Sequence, residues 1–160
     1  MKSKLLEAII LRENNQSKEA LNILEKLLID EPLNGTIYYQ SAWCCDNLSL
    51  EKEAINYYQK AIKLGLNQTD LKEAYLGLGS TYRAIGEYIL AKETFLKGID
   101  CFPENNAYRV FLAMVYYNLG EYQKGMELLL QLLAMTSSDS DIQLYQKAIT
   151  YYSTRLEDKW

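Results

Sequence analysis

Apolar residues recur at spacings of three and four in eight successive stretches, separated by short polar breaks. That spacing is the signature of amphipathic helices, and no stretch sustains the two-residue alternation of a strand. The breaks predict first helices over 3–14, 36–47, 71–84 and 105–118, and second helices over 18–30, 51–64, 88–100 and 122–135. Residues 141–156 predict one further helix, which makes nine.

The helices come in pairs. A small residue near the start of each second helix, Ala20, Ala54, Ala91 and Gly125, recurs at intervals of 34, 37 and 34. The longer interval contains three extra residues near Asn67, Gln68 and Thr69. The punctuation keeps step with the pairs. Pro32 and Pro103 follow second helices, where a helix has already ended. Gly65 suits a left-handed terminator. Asn15, Gly86 and Gly120 fill the tight turn inside their pairs, and Ser49 fills it in the second pair, with a capping role as well. Asp70 with Glu73 forms a candidate capping box, and Ser138 and Asp141 are candidates to cap the last helix. Leu144, Ala148, Tyr151 and Tyr152 of that helix are placed to cover the apolar edge of the fourth pair.

The residues at the repeat positions resemble the tetratricopeptide repeat. The third pair carries the pattern best, with Tyr75, Leu78, Gly79, Tyr82, Gly86, Ala91, Phe95, Gly98 and Pro103. The fourth follows with Leu112, Ala113, Tyr116, Gly120, Gly125, Leu129 and Leu132, and departs at Gly125 and Ser137. The second pair departs with Cys45 at the usual aromatic position and Leu66 at the proline position. The resemblance implies an all-α, right-handed solenoid of about four helix hairpins. The repeats would cover about 3–34, 35–68, 71–105 and 106–137, with a capping helix over about 141–156, as a single domain over 1–160.

The resemblance also implies a binding groove lined by the first helices. Carried onto this chain, the groove positions include Tyr39, Trp43, Asp46 and Asn47 in the second repeat, Leu76, Ser80 and Arg83 in the third, and Val110, Met114, Tyr117 and Asn118 in the fourth. Trp43 and Tyr39 read equally as partner contacts or as packing between helices. The first repeat presents Leu5, Ile9 and Arg12. Leu5, Leu6, Ile9 and Ile10 are candidates for end packing or for pairing with a second copy. Members that clamp a terminal carboxylate use a cationic cluster; the matching positions here are Leu5, Ile9, Gln40, Glu73 and Gly77, which supply none.

Composition narrows the chemistry. There is no histidine, which removes the usual neutral-pH base and every histidine-containing metal site. The three cysteines, Cys44, Cys45 and Cys101, are odd in number and lack metal spacing, which favours a reducing, cytoplasmic setting. A net charge of −4 gives no basic face for nucleic acid. No apolar run is long enough to span a bilayer, and the opening residues do not read as a signal peptide. Gly77 and Gly79 fall inside a helix and form no phosphate loop. The expectation is a non-enzymatic scaffold or adaptor, without cofactor, that binds a peptide or helix of a partner protein. A bacterial secretion-type chaperone shielding an apolar client segment is the alternative, and a catalytic protein the weaker one.

Overall fold

The computed structural model describes residues 2–159; Met1 and Trp160 lie outside the described set. All regular structure among the described residues is helical. The helices are α1 (Lys2–Glu13), α2 (Ser17–Asp30), α3 (Gly35–Asn47), α4 (Glu51–Leu64), α5 (Gln68–Ala84), α6 (Tyr88–Cys101), α7 (Ala107–Asn118), α8 (Tyr122–Thr136), α9 (Ser140–Leu144) and α10 (Gln146–Ser153). They form paired hairpins of the solenoid class with a C-terminal helix packed on the last pair.

The repeat holds down to single hydrogen bonds. Asn15, Ser49, Gly86 and Gly120 all take positive φ, between 56° and 85°. In each turn the next residue's N–H donates back to the carbonyl five residues earlier: Gln16 to Leu11, Leu50 to Cys45, Glu87 to Tyr82 and Glu121 to Tyr116, at 2.8–2.9 Å. A left-handed residue followed by this bond is how a helix end satisfies its last carbonyls while reversing direction. Ser49 therefore serves the turn alone; α4 begins at Glu51, and its N-cap residue, Leu50, makes no side-chain cap.

The chain divides into two compact units, one running through Thr94 and the other starting at Phe95. In the first, α1 pairs with α2 and α3 with α4, while α3 also packs on α2 and α5 on α4. Ala8, Ala20, Ala42, Ala54 and Ala61 have no solvent exposure, so paired backbones approach closely over side chains no larger than a methyl. In the second unit, α7 pairs with α8, and α10 packs on α8. Gly125 sits against the Ala113 carbonyl there, and the fully buried rings of Phe95 and Tyr108 fill the centre, Phe95 stacking on Phe111.

Two boundaries differ from the sequence expectation. The helix α5 starts at Gln68 instead of 71, so the three-residue insertion becomes extra helix. Asn67 is its cap: its Oδ1 accepts from Asp70 N at 2.9 Å, and its Nδ2 donates to the Asp70 carboxylate at 2.7 Å. The Asp70–Glu73 capping box is therefore not formed, because Asp70 lies inside the helix that Asn67 already caps. The last helix is broken at Tyr145 into α9 and α10, giving ten helices among the described residues. Asp139, not Ser138, caps α9, accepting from Asp141 N and Ile142 N. Gln143 on α9 donates to the Ser137 carbonyl and Gln146 on α10 to the Ala134 carbonyl, so each piece is tied separately to the end of α8. Of the four residues expected on the covering face, Ala148 is half-buried in the helix that packs on α8, Tyr151 and Tyr152 are about half exposed, and Leu144 stays in solvent.

Candidate functional site

In the first unit the first helices α1, α3 and α5 are neighbours, and the second helices pack behind them. Heptad-like spacing sends Tyr39, Trp43 and Asp46 along one stripe of α3. Trp43 is the exposed member, with 37% of its surface in solvent. It is also fixed. The guanidinium carbon of Arg12 on α1 lies 3.6 Å from the Trp43 ring centre, and the Tyr39 ring packs against it at 5.9 Å. Arg12 is itself buried, held by its Nε donating to Gln40 Oε1 at 3.0 Å and by Glu13 at 3.3 Å. A buried cation needs such partners; here they turn it into a rigid backing for an aromatic face.

Tyr39 is almost wholly buried, so it offers no surface of its own and supports Trp43 from below. Its ring also meets Tyr58 of α4. Burial, with the fields of Asp70 and Glu73, raises the pKa of its hydroxyl. Asp46 is half-buried where three helices meet. The Tyr58 hydroxyl donates to its Oδ2 at 2.7 Å, and Thr81 Oγ1 on α5 stands 2.8 Å from its Oδ1. Burial raises the Asp46 pKa, and those two hydrogen bonds oppose the rise. Asp46 is thus a structural acceptor joining α3, α4 and α5. Asn47 is exposed and donates to Ser17 Oγ on α2 at 2.9 Å. Leu76, Ser80 and Arg83 are half-buried on one stripe of α5.

The fourth-repeat residues belong to the second unit. On α7, Val110 and Asn118 are half-buried and Met114 is exposed. Tyr117 is the most open of them, set edge-on to Tyr122 with ring centres 5.2 Å apart. These four form a patch of their own on one helix.

The sequence reading missed the partners behind the wall: Gln40 as the acceptor for Arg12, and Tyr58 and Thr81 as the donors to Asp46. It named Arg12 as a groove position, and the structure buries it. One signal pointed that way. Arg12 and Asp46 lie 34 residues apart, at the same repeat position, and a charge there faces a neighbouring first helix.

Reactive chemistry is poor. Burial pushes the thiol of Cys44 up to about 11 and that of Cys45 up to about 12, so both stay protonated near neutrality. Among the described residues no group of three or more His, Cys, Asp or Glu side chains could hold a metal ion. No described helix is long and apolar enough to cross a membrane.

Comparison with known proteins agrees with the repeat geometry. The tetratrico peptide repeat family matches residues 35–156. The chain belongs to that family. This tetratricopeptide repeat chain is 28% identical over 130 residues to the transcription factor tau 131 kDa subunit of Saccharomyces cerevisiae, covering 80% of the chain and 12% of that protein. It spans between 6% and 54% of the curated relatives' lengths. Among solved structures, MamA from Desulfovibrio magneticus RS-1 superposes with a TM-score of 0.72 at 18% identity, covering 99% of this chain and 97% of that one. YrrB, described as a TPR protein with an unusual peptide-binding site, superposes with a TM-score of 0.74 at 19% identity, covering 95% and 77%. Likenesses at that identity speak for the fold. Family and fold together identify the chain as a tetratricopeptide repeat protein of paired helices.

Proposed function

We propose that the chain captures a peptide or helix of a partner protein on the first-helix wall of its first unit, with Trp43 as the anchor. The observation that carries this reading is the backing of Trp43. Its exposed ring is braced by Arg12 and Tyr39, so little side-chain freedom is lost when a partner covers it. Large, rigid aromatic side chains dominate the energy of protein interfaces. Leu76, Ser80 and Arg83 extend the same wall along α5. Met114 and Tyr117 give α7 a second contact patch in the other unit. The work is reversible binding without bond chemistry, in a cytoplasmic, reducing setting that suits three unpaired cysteines.

The test is affinity capture with three baits: the intact chain, Trp43→Ala, and Leu33→Ala as an exposed apolar control away from the wall. The reading expects a partner set held by the intact chain and the control and lost by Trp43→Ala. A set retained equally by all three would overturn it.

A further inference from the structure

The repeat exposes two faces that should be covered. In every repeat the residue four places after the small residue lies on the side of the second helix that meets the next repeat. Leu24, Tyr58 and Phe95 hold this position and are buried. Their counterpart on α8 is Leu129, which is 41% exposed. Around it Tyr122, Met126 and Leu133 complete a stripe at spacings of four, three and four, exposed by 61%, 50% and 44%. The C-terminal helix leaves this stripe open, because it packs on another side of α8, where Gln131 meets Ser153 and the Ala134 carbonyl meets Gln146.

The mirror situation holds at the other end. In every repeat the residue ten places before the small residue lies on the side of the first helix that meets the preceding repeat. Cys44, Thr81 and Val115 hold this position and are buried. Their counterpart on α1 is Ile10, 48% exposed, and one turn before it Leu6 is 57% exposed.

The first unit shows how two such faces fit. Tyr58 of α4 lies against Gly77 of α5, so closely that a Cβ on Gly77 would stand 2.4 Å from the tyrosine hydroxyl, and Thr81 follows one turn later. Gly77 and Thr81 are the repeat counterparts of Leu6 and Ile10, and Tyr58 is the counterpart of Leu129. Inside the chain the junction pairs a large residue with glycine. Between the two exposed faces the same step would bring leucine against leucine, so that both apolar side chains leave water together.

We propose that a second copy of this chain docks its α1 on the α8 stripe, so that Leu6 and Ile10 of one copy cover Leu129 and Leu133 of the other. The contact is heterologous, head to tail, and repeats the α4–α5 step between molecules. Each copy of a pair keeps one of its two faces uncovered, so association continues into a ring or an open chain.

The experiment is sedimentation velocity over a concentration series on the full chain, on Ile10→Glu, on Leu129→Glu, and on an equimolar mixture of the two variants. Both residues are exposed, so melting temperatures should match the wild type; a variant that melts early is replaced by Leu6→Glu or Leu133→Glu on the same face. The proposal expects the wild type to associate with concentration and each variant alone to remain monomeric, its dissociation constant raised roughly tenfold or more. It further expects the mixture to stop at a dimer, because one variant keeps an intact tail and the other an intact head. A wild type that stays monomeric, a Leu129→Glu chain that still associates, or a mixture that fails to pair would each overturn it.

Discussion

Arg12 and Trp43 form one unit: a buried guanidinium lies face-on to an aromatic ring on the neighbouring first helix, 3.6 Å from its centre. The pair joins α1 to α3 and sets how far the tryptophan stands out from the wall. Arg12→Ala removes the backing and leaves Gln40 without its donor. A stability loss of about 1–2 kcal/mol is expected in chemical denaturation. In a Trp160→Phe background Trp43 is the sole tryptophan, and its emission should move to the red as water reaches the uncovered face. An unchanged spectrum with unchanged stability would show that the stacking does not hold in solution.

Asp46 gives a pH signature. Burial raises its pKa above the ordinary 3.8, so the folded protein holds the proton more tightly than the unfolded chain does. Stability from this group is therefore greatest below the unfolded value and declines as pH rises through the folded one. Asp46→Asn removes that dependence. The stability difference between variant and wild type should shift toward the variant as pH is raised through the window above 3.8, measured by denaturant midpoints. A difference that shifts the opposite way would mean that the hydrogen bonds from Tyr58 and Thr81 outweigh burial.

Gly77 sits in the middle of α5, where alanine would ordinarily favour the helix by about 1 kcal/mol. The crowding by Tyr58 reverses the sign. A Cβ at this position displaces the ring and strains its hydroxyl bond to Asp46. Gly77→Ala is expected to destabilise by about 1–3 kcal/mol. Thermal melts of Gly77→Ala, Tyr58→Leu and the double variant should show the two changes coupled by roughly 0.5 kcal/mol or more. Additive effects would separate the two residues.

Thiol accessibility follows from burial. Cys101 is exposed, whereas Cys44 and Cys45 are buried. A thiol reagent should label Cys101 rapidly in the native protein and reach Cys44 and Cys45 only on unfolding. Rapid native labelling of all three would mean that α3 does not pack against α2 and α4.

The helix pairs were legible because the small residues at Ala20, Ala54, Ala91 and Gly125 mark a step that the backbone obeys at every turn. What the sequence misjudged were local contests. Asn67 and Asp70 are both good caps, and only the packing of α5 decides that the earlier one wins. The apolar residues of 141–156 read as one covering helix, but Gln143 and Gln146 tie two separate pieces to the end of α8, so Ala148 is half-buried while Leu144 stays in solvent. At the candidate site, the stripe from Tyr39 to Asp46 was legible through the resemblance to the repeat family. Which member faces out was not, because it depends on Arg12 and Tyr58, which arrive from other helices.

The most direct test of the binding account is photocrosslinking from position 43. A benzophenone-bearing phenylalanine replaces Trp43 in one chain and Lys63, on the second helix α4, in another, and crosslinked partners are identified by mass spectrometry. The account predicts a discrete partner peptide joined at position 43 and absent at 63. Equal crosslinking at both positions, or crosslinks from 63 alone, would contradict it.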